Sequence, residues 1–293
     1  MIVGWWLACG GESDGSTPPE PVCDAPCGAA VAAATWEGPP ILGWAGGELA
    51  TGRVNGEPVV LVGAPVGGGY DPASAIALSV DALDRLGTWW DDDDNSGSSF
   101  GATIAIAPDG SSYAVGALFG SKTQDQGGTV HLFDRLPVGT ERPGDAAVLV
   151  IHGTVGNQSG LGVRVAYLDL TGVGTELIVS APDGYSGETS FVGEVLAFDP
   201  TLRGEATRDQ AVRRLTGTAY ELTGWDADGD GLDELVTSTL DGVLHFPGPW
   251  EADLAEADAD IRWSEGSPAD DLGDAIEVLD DVDGDGRSEL ALG

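Results

Sequence analysis

The 293-residue chain carries 49 Asp plus Glu against 12 Lys plus Arg, a formal net charge of −37, and a field of that sign repels nucleic-acid phosphates and anionic lipid. Forty-six glycines and 17 prolines beside one methionine disfavour a helical bundle and point to an all-β chain of short strands joined by tight turns. With 42% hydrophobic residues there is enough apolar material for one large repeat domain or two smaller ones, and divalent cations are the partners the charge invites. Solvated acidity explains the total charge by itself, so the acids acquire meaning only where they cluster at ligand spacing.

Residues 1–9 read M-I-V-G-W-W-L-A-C, a short apolar run that resembles the remnant of a bacterial lipoprotein signal. The resemblance implies lipidation of Cys9 and export to the cell envelope, at the outer membrane or cell surface, or beyond it. The run departs from that pattern in two respects: no Lys or Arg precedes Arg53, and Trp6 stands where leucine is usual. It is far shorter than the ~20 residues a spanning helix needs, as is every later apolar stretch, so a lipid would be the only membrane attachment. Residues 10–30 lack hydrophobic periodicity and are expected to be a flexible Pro- and Gly-rich tether. Within it, Cys23 and Cys27 form an even pair in an exported chain, which favours a small disulfide; no histidine lies nearby to complete a zinc site.

From residue 31 onward a block recurs. An aromatic residue or Leu precedes a small residue, then a polar turn, then an apolar strand closing on Gly-Ala-Pro or a variant. The copies run from Trp44-Ala45 to Gly63-Ala64-Pro65, Phe100-Gly101 to Gly116-Ala117, Leu161-Gly162 to Ser180-Ala181-Pro182 and Leu272-Gly273 to Leu292-Gly293. A weaker copy spans about Gly217 to Ser238. A third strand reads G-x-V-x-x-F at Gly128–Phe133 and Gly193–Phe198, and more loosely at Gly242–Phe246. A fourth carries Trp36, Trp90, His152 or Trp263. Four short strands in each period of roughly 50 to 65 residues are the signature of a propeller blade.

Two acidic loops lie between the first and second strands of their blades: Asp226-Ala-Asp228-Gly-Asp230-Gly-Leu232-Asp233-Glu234 and Asp281-Val-Asp283-Gly-Asp285-Gly-Arg287-Ser288-Glu289. Carboxylates at alternate positions of a tight loop converge, glycine permits the turn, and the seventh residue has a carbonyl to offer. Oxygen donors without Cys or His select calcium over zinc. A helical calcium loop needs Glu at its twelfth position, which here holds Thr237 or Leu292; the acid falls ninth instead, directly before an apolar strand. Solvated Asp-Gly hairpin turns are the plain alternative, and two matched copies with four acids each argue against it.

These elements together resemble the FG-GAP repeats of integrin α-subunit propellers and related bacterial proteins, over residues 31–293. The resemblance implies a β-propeller of four-stranded antiparallel blades and two Ca²⁺ sites. Its ligand roles carry over to Asp226, Asp228, Asp230, the Leu232 carbonyl and Glu234, and to Asp281, Asp283, Asp285, the Arg287 carbonyl and Glu289. Such propellers usually have seven blades. Here about five are expected, the last stopping after two strands, so the chain reads as a truncated propeller, or else Val31–Trp36 closes a smaller one; the truncated form is preferred.

Other clusters carry less. Asp233 is expected to be an exposed neighbour of the ligands. The loop at Asp169–Gly174 is two residues short, and Asn55-Gly56 and Pro108-Asp109-Gly110 look like plain turns, so those blades are expected to bind no metal. Asp91–Asp94 reads as a solvated run between blades, with a further cation site as the alternative. Gly97-Ser98-Ser99-Phe100-Gly101 matches G-x-S-x-G, but a nucleophile elbow needs a following helix and a strand is expected there. His131, His152 and His245 are expected to pack rather than catalyse, and Trp36, Trp89, Trp90 and Trp263 to pack blade edges rather than stack sugars. The expected function is therefore a calcium-binding module for adhesion or scaffolding, with a protein or polysaccharide partner on a propeller face. The rival is a glycan-active hydrolase or lyase, or a piece of a larger enzyme; paired carboxylates in a cleft away from the calcium loops would favour it.

Overall fold

The computed structural model describes residues 46–65, 73–91, 99–118, 127–154, 160–183, 192–217, 220–239, 241–264 and 272–293. Cys9, Cys23, Cys27, Trp36, Trp44, Ala45, Asp92 to Asp94 and the expected signal and tether segments fall outside them.

The architecture is all-β, with five sheets. The first is an antiparallel meander of β1 (Glu48–Val54), β2 (Glu57–Ala64), β3 (Ala73–Ser79) and β4 (Arg85–Asp91). The second opens with β5 (Phe100–Ile106), β6 (Tyr113–Ala117) and β7 (Thr129–Phe133). The chain then leaves this sheet for β8 (Gly139–Glu141), which pairs in parallel with β4 of the first, and returns as β9 (Leu149–His152). The third sheet repeats the pattern with β10 (Val165–Leu168), β11 (Glu176–Asp183), β12 (Val192–Phe198), the excursion β13 (Gly204–Thr207) and β14 (Arg213–Gly217); β13 pairs in parallel with β9. The fourth has β15 (Leu222–Trp225), β16 (Glu234–Thr239), β17 (Gly242–Phe246), the excursion β18 (Leu254–Ala255) onto β14, and β19 (Ile261–Trp263). The fifth is the hairpin β20 (Ile276–Leu279) and β21 (Glu289–Leu292). Among the described residues no helix is long and apolar enough to cross a membrane.

The cores lie between successive sheets. Trp89 of the first sheet stacks on Phe133 of the second at 4.5 Å and donates its indole N–H to the Tyr113 hydroxyl at 2.6 Å. Leu132 and Ile151 of the second sheet share a buried cluster with Val179 and Phe198 of the third, and Ile178 and Leu215 of the third share one with Leu244 and Phe246 of the fourth. Alternation along each strand supplies both faces, because successive side chains point to opposite sides. The opening strands also lie against one another in chain order: β1 on β5, β5 on β10, β10 on β15, and β15 on β20.

The recurring glycines have a steric cause. A Cβ on Gly63 would sit 2.0 Å from the carbonyl oxygen of Gly101, and one on Gly116 would sit 2.3 Å from that of Gly162. The glycine closing one block therefore faces the glycine opening the next, where the backbones of neighbouring sheets approach too closely for a side chain. Leu161-Gly162 and Leu272-Gly273 precede β10 and β20 rather than beginning them, although the Gly162 amide still bonds the Ser180 carbonyl of β11 and the Gly273 amide the carbonyl of Gly293, directly after β21.

Candidate metal centre

The two acidic loops are built alike. In the first, Asp226 accepts backbone N–H groups from Gly229 at 2.8 Å and Gly231 at 3.1 Å, Asp228 accepts from Asp230 at 3.0 Å, Asp230 from Leu232 at 2.8 Å, and Glu234 reaches back to the Ala227 N–H at 2.7 Å. In the second, Asp281 accepts from Gly284 at 2.6 Å and Gly286 at 2.9 Å, Asp283 from Asp285 at 3.0 Å, Asp285 from Arg287 at 2.9 Å, and Glu289 from Val282 at 2.7 Å. Gly229, Gly231, Gly284 and Gly286 all have positive φ, which lets each loop fold its aspartates onto one side.

Each loop brings its four acidic residues together: one carboxylate oxygen from each of Asp226, Asp228, Asp230 and Glu234 lies within 4.8 Å of the others, and the same holds for Asp281, Asp283, Asp285 and Glu289. Both groups could hold a metal ion. Each aspartate keeps an oxygen on a backbone N–H, so the ring is shaped by the loop itself. A donor set of oxygens alone fits a hard divalent cation. The loops differ in setting. Glu234 is 5% exposed, whereas Glu289 is only half-buried and Asp281 is exposed. Burial pushes the Glu234 carboxyl above its ordinary range, with the charges of Asp228 and Asp226 adding to the shift; a cation at the ring would relieve both.

Asp233 departs from expectation. It is half-buried, its Oδ2 accepts the Asp169 N–H at 2.8 Å, and its own N–H donates to the Asp169 carbonyl at 2.9 Å. This reciprocal pair docks the first hairpin of the third sheet onto that of the fourth. Burial raises the Asp233 carboxyl, and Asp169 and Asp226 add to that. At the matching place in the fifth sheet, the Ser288 carbonyl accepts the Trp225 indole N–H at 3.0 Å. The loop after Asp169 is one residue shorter than that of the fourth sheet and two shorter than that of the fifth, as the pairs Leu168 with Glu176, Trp225 with Glu234 and Leu279 with Glu289 show.

A second charged cluster lies elsewhere. Glu221, just before β15, holds Arg164, just before β10, in a two-pronged ion pair, with Nε to Oε2 at 2.6 Å. Glu48 of the first sheet is in the electrostatic field of both; its carboxyl is raised by burial, lowered by Arg164 and raised by Glu221. The histidines sit on β7, β9 and β17, each with its own neighbours: His131 edge-on to Phe100 at 5.4 Å, His152 on Glu205, and His245 on Asp260 at 2.6 Å between Trp225 and Trp263. Trp89 is buried, Trp90 and Trp263 are half-buried, and the chain after Ser99 enters strand β5, not a helix. Sequence reasoning missed Trp225 as an inter-sheet donor; only its position directly before the acidic loop hinted at it. No family model matches the chain, and no curated protein matches it either.

Proposed function

We propose that the chain is a calcium-binding β-propeller of the FG-GAP type, serving as a binding, adhesion or scaffolding module at the cell envelope. The observation that carries the reading is the duplicated acidic hairpin. Two loops in successive sheets share one hydrogen-bond pattern, and each gathers four carboxylates within 4.8 Å. The propeller arrangement is supported by opening strands that follow one another side by side in chain order. It is also supported by the electrostatic coupling of Glu48 in the first sheet with Arg164 of the third and Glu221 of the fourth. In this reading the Leu232 and Arg287 carbonyls complete the two shells, and calcium holds together, within each loop, carboxylates that otherwise repel.

A binding module is favoured over a glycan-active enzyme because the carboxylates that approach each other away from the loops, Glu48 and Glu221, flank Arg164, and Glu221 is engaged by both of its prongs. Such an arrangement ties sheets together rather than pairing an acid with a base. Export is supported by the Cys9 signal resemblance, and a protein or polysaccharide is the partner class.

The test is thermal unfolding in chelator against ~5 mM calcium, a concentration above the 10⁻⁴ to 10⁻³ M affinities common in extracellular modules. At that concentration, roughly 5- to 50-fold above such affinities, calcium adds about 1–2.3 kcal/mol per site, so it raises the Tm clearly and equal magnesium does less. Asp226→Asn with Asp281→Asn removes most of the rise while the protein still folds, and Asp226→Asn alone removes the larger share because its loop is the more buried. A Tm identical in chelator and calcium overturns the proposal.

A further inference from the structure

The pairing registers place three glutamates at one structural position. Glu176 opposes Leu168, Glu234 opposes Trp225, and Glu289 opposes Leu279, each at the start of the second strand of its sheet. In the fourth and fifth sheets that glutamate belongs to a complete acidic loop. In the third, Thr171 and Val173 stand among the loop residues and supply no carboxylate, yet Glu176 is only 9% exposed and its Oε2 has no hydrogen-bond partner among the described residues. A carboxylate so buried needs a compensating cation.

Arg213 provides one. It lies on β14 opposite Ala197, which in turn opposes Ile178 two residues beyond Glu176, and its Nη2 pairs with Glu176 Oε1. The matching row of the fourth sheet runs from Val236 through His245 to Ile261, with an apolar residue where the third sheet has arginine. The second sheet has Ala114, Leu132 and Leu149 in that row, the first has Leu61, Ala77 and Gly87, and the residues at the glutamate position are Ser112 and Val59. Neither sheet has a carboxylate there, and neither has a cation.

We infer that Arg213 is a built-in cation that takes over in the third sheet the charge-neutralising role of the divalent ion in the fourth and fifth, so that one sheet is stabilised without metal. The inference rests on the metal reading of those two loops, and it accounts for a buried glutamate in a loop that retains only Asp169 of the three aspartates. Arg213 makes the third sheet indifferent to calcium, and it bars a divalent ion from the site by like-charge repulsion.

The experiment compares the intact protein with Arg213→Met and with the pair Glu176→Leu/Arg213→Met, by thermal unfolding in chelator. The single variant leaves a buried carboxylate uncompensated and lowers the Tm by about 5–10 °C; the double variant removes that charge and recovers most of the loss. An unchanged Tm in the single variant overturns the inference. So does a double variant as unstable as the single one, since the loss then belongs to the packing of the arginine stem. The calcium response of the unmutated protein is a separate arm. Its absence, with the single and double variants behaving as expected, overturns the metal reading of the fourth and fifth sheets and leaves the charge compensation in the third intact.

Discussion

Asp233 and Glu234 are neighbours in the chain whose side chains serve different partners. Glu234 faces its own loop and the Ala227 N–H, while Asp233 turns to the adjacent hairpin and accepts the Asp169 N–H. What that contact needs is an acceptor, not a charge, because Asp169 and Asp226 already crowd the site with negative field and burial disfavours the ion. Asp233→Ala should therefore cost about 1–3 kcal/mol by stranding a partly buried N–H. Asp233→Asn keeps an acceptor and should be neutral or stabilising in chelator, as read from urea unfolding midpoints. An equal loss in both variants would mean that the charge itself matters. This role was illegible in the sequence because the partner lies in another repeat, whereas the four acids of each loop are local and their alternate spacing already forces convergence.

At the scale of strands, legibility followed side-chain pattern. The G-x-V-x-x-F segments became β7, β12 and β17 because alternating apolar residues bury against both neighbouring sheets. The edge strands β8, β13 and β18 read Gly-Thr-Glu, Gly-Glu-Ala-Thr and Leu-Ala, too short and polar to announce themselves. They exist because an excursion before the last strand of one sheet meets the open edge of the sheet before it, a tertiary event no local pattern encodes. Each is followed by a helical turn, at Pro143–Ala146, Arg208–Gln210 and Glu256–Asp258. The Gly-Ala landmarks were legible as a repeat, but their reason was not, since it is the carbonyl of the next sheet that forbids a side chain. Gly116→Ala puts a methyl 2.3 Å from the Gly162 oxygen and must part the second and third sheets. It should lower stability by about 1–3 kcal/mol or more, whereas Gly144→Ala, with open space around it, should lie within about 0.5 kcal/mol of the parent.

For the molecule as a whole, a formal charge of −37 makes proton binding and, on the proposed reading of the acidic loops, calcium binding alternative ways of relieving the same repulsion, and the two respond to pH in opposite directions. Glu48 is held above the ordinary carboxylate range, first by burial and then by the field of Glu221, with Arg164 opposing; Glu234 and Asp233 are raised as well. A carboxyl raised on folding contributes stability that is fully present below its unfolded value, near 4, and lost as pH rises through its folded value. In chelator, acidification from pH 7 toward pH 5 should therefore raise the Tm. Glu141, held low by Arg135, and Asp109 and Asp199, held low by Ser111 and Thr201, act with the opposite sign, but their contribution is lost only as pH falls through values below the ordinary range, so the gain reverses below about pH 4. In saturating calcium the slope between pH 7 and pH 5 should invert, because protons then compete with the ion for Glu234 and its ring. Paired melting curves across that interval, with and without calcium, should converge on acidification. Parallel curves would show that calcium acts as a general screening salt and not at the carboxylate rings.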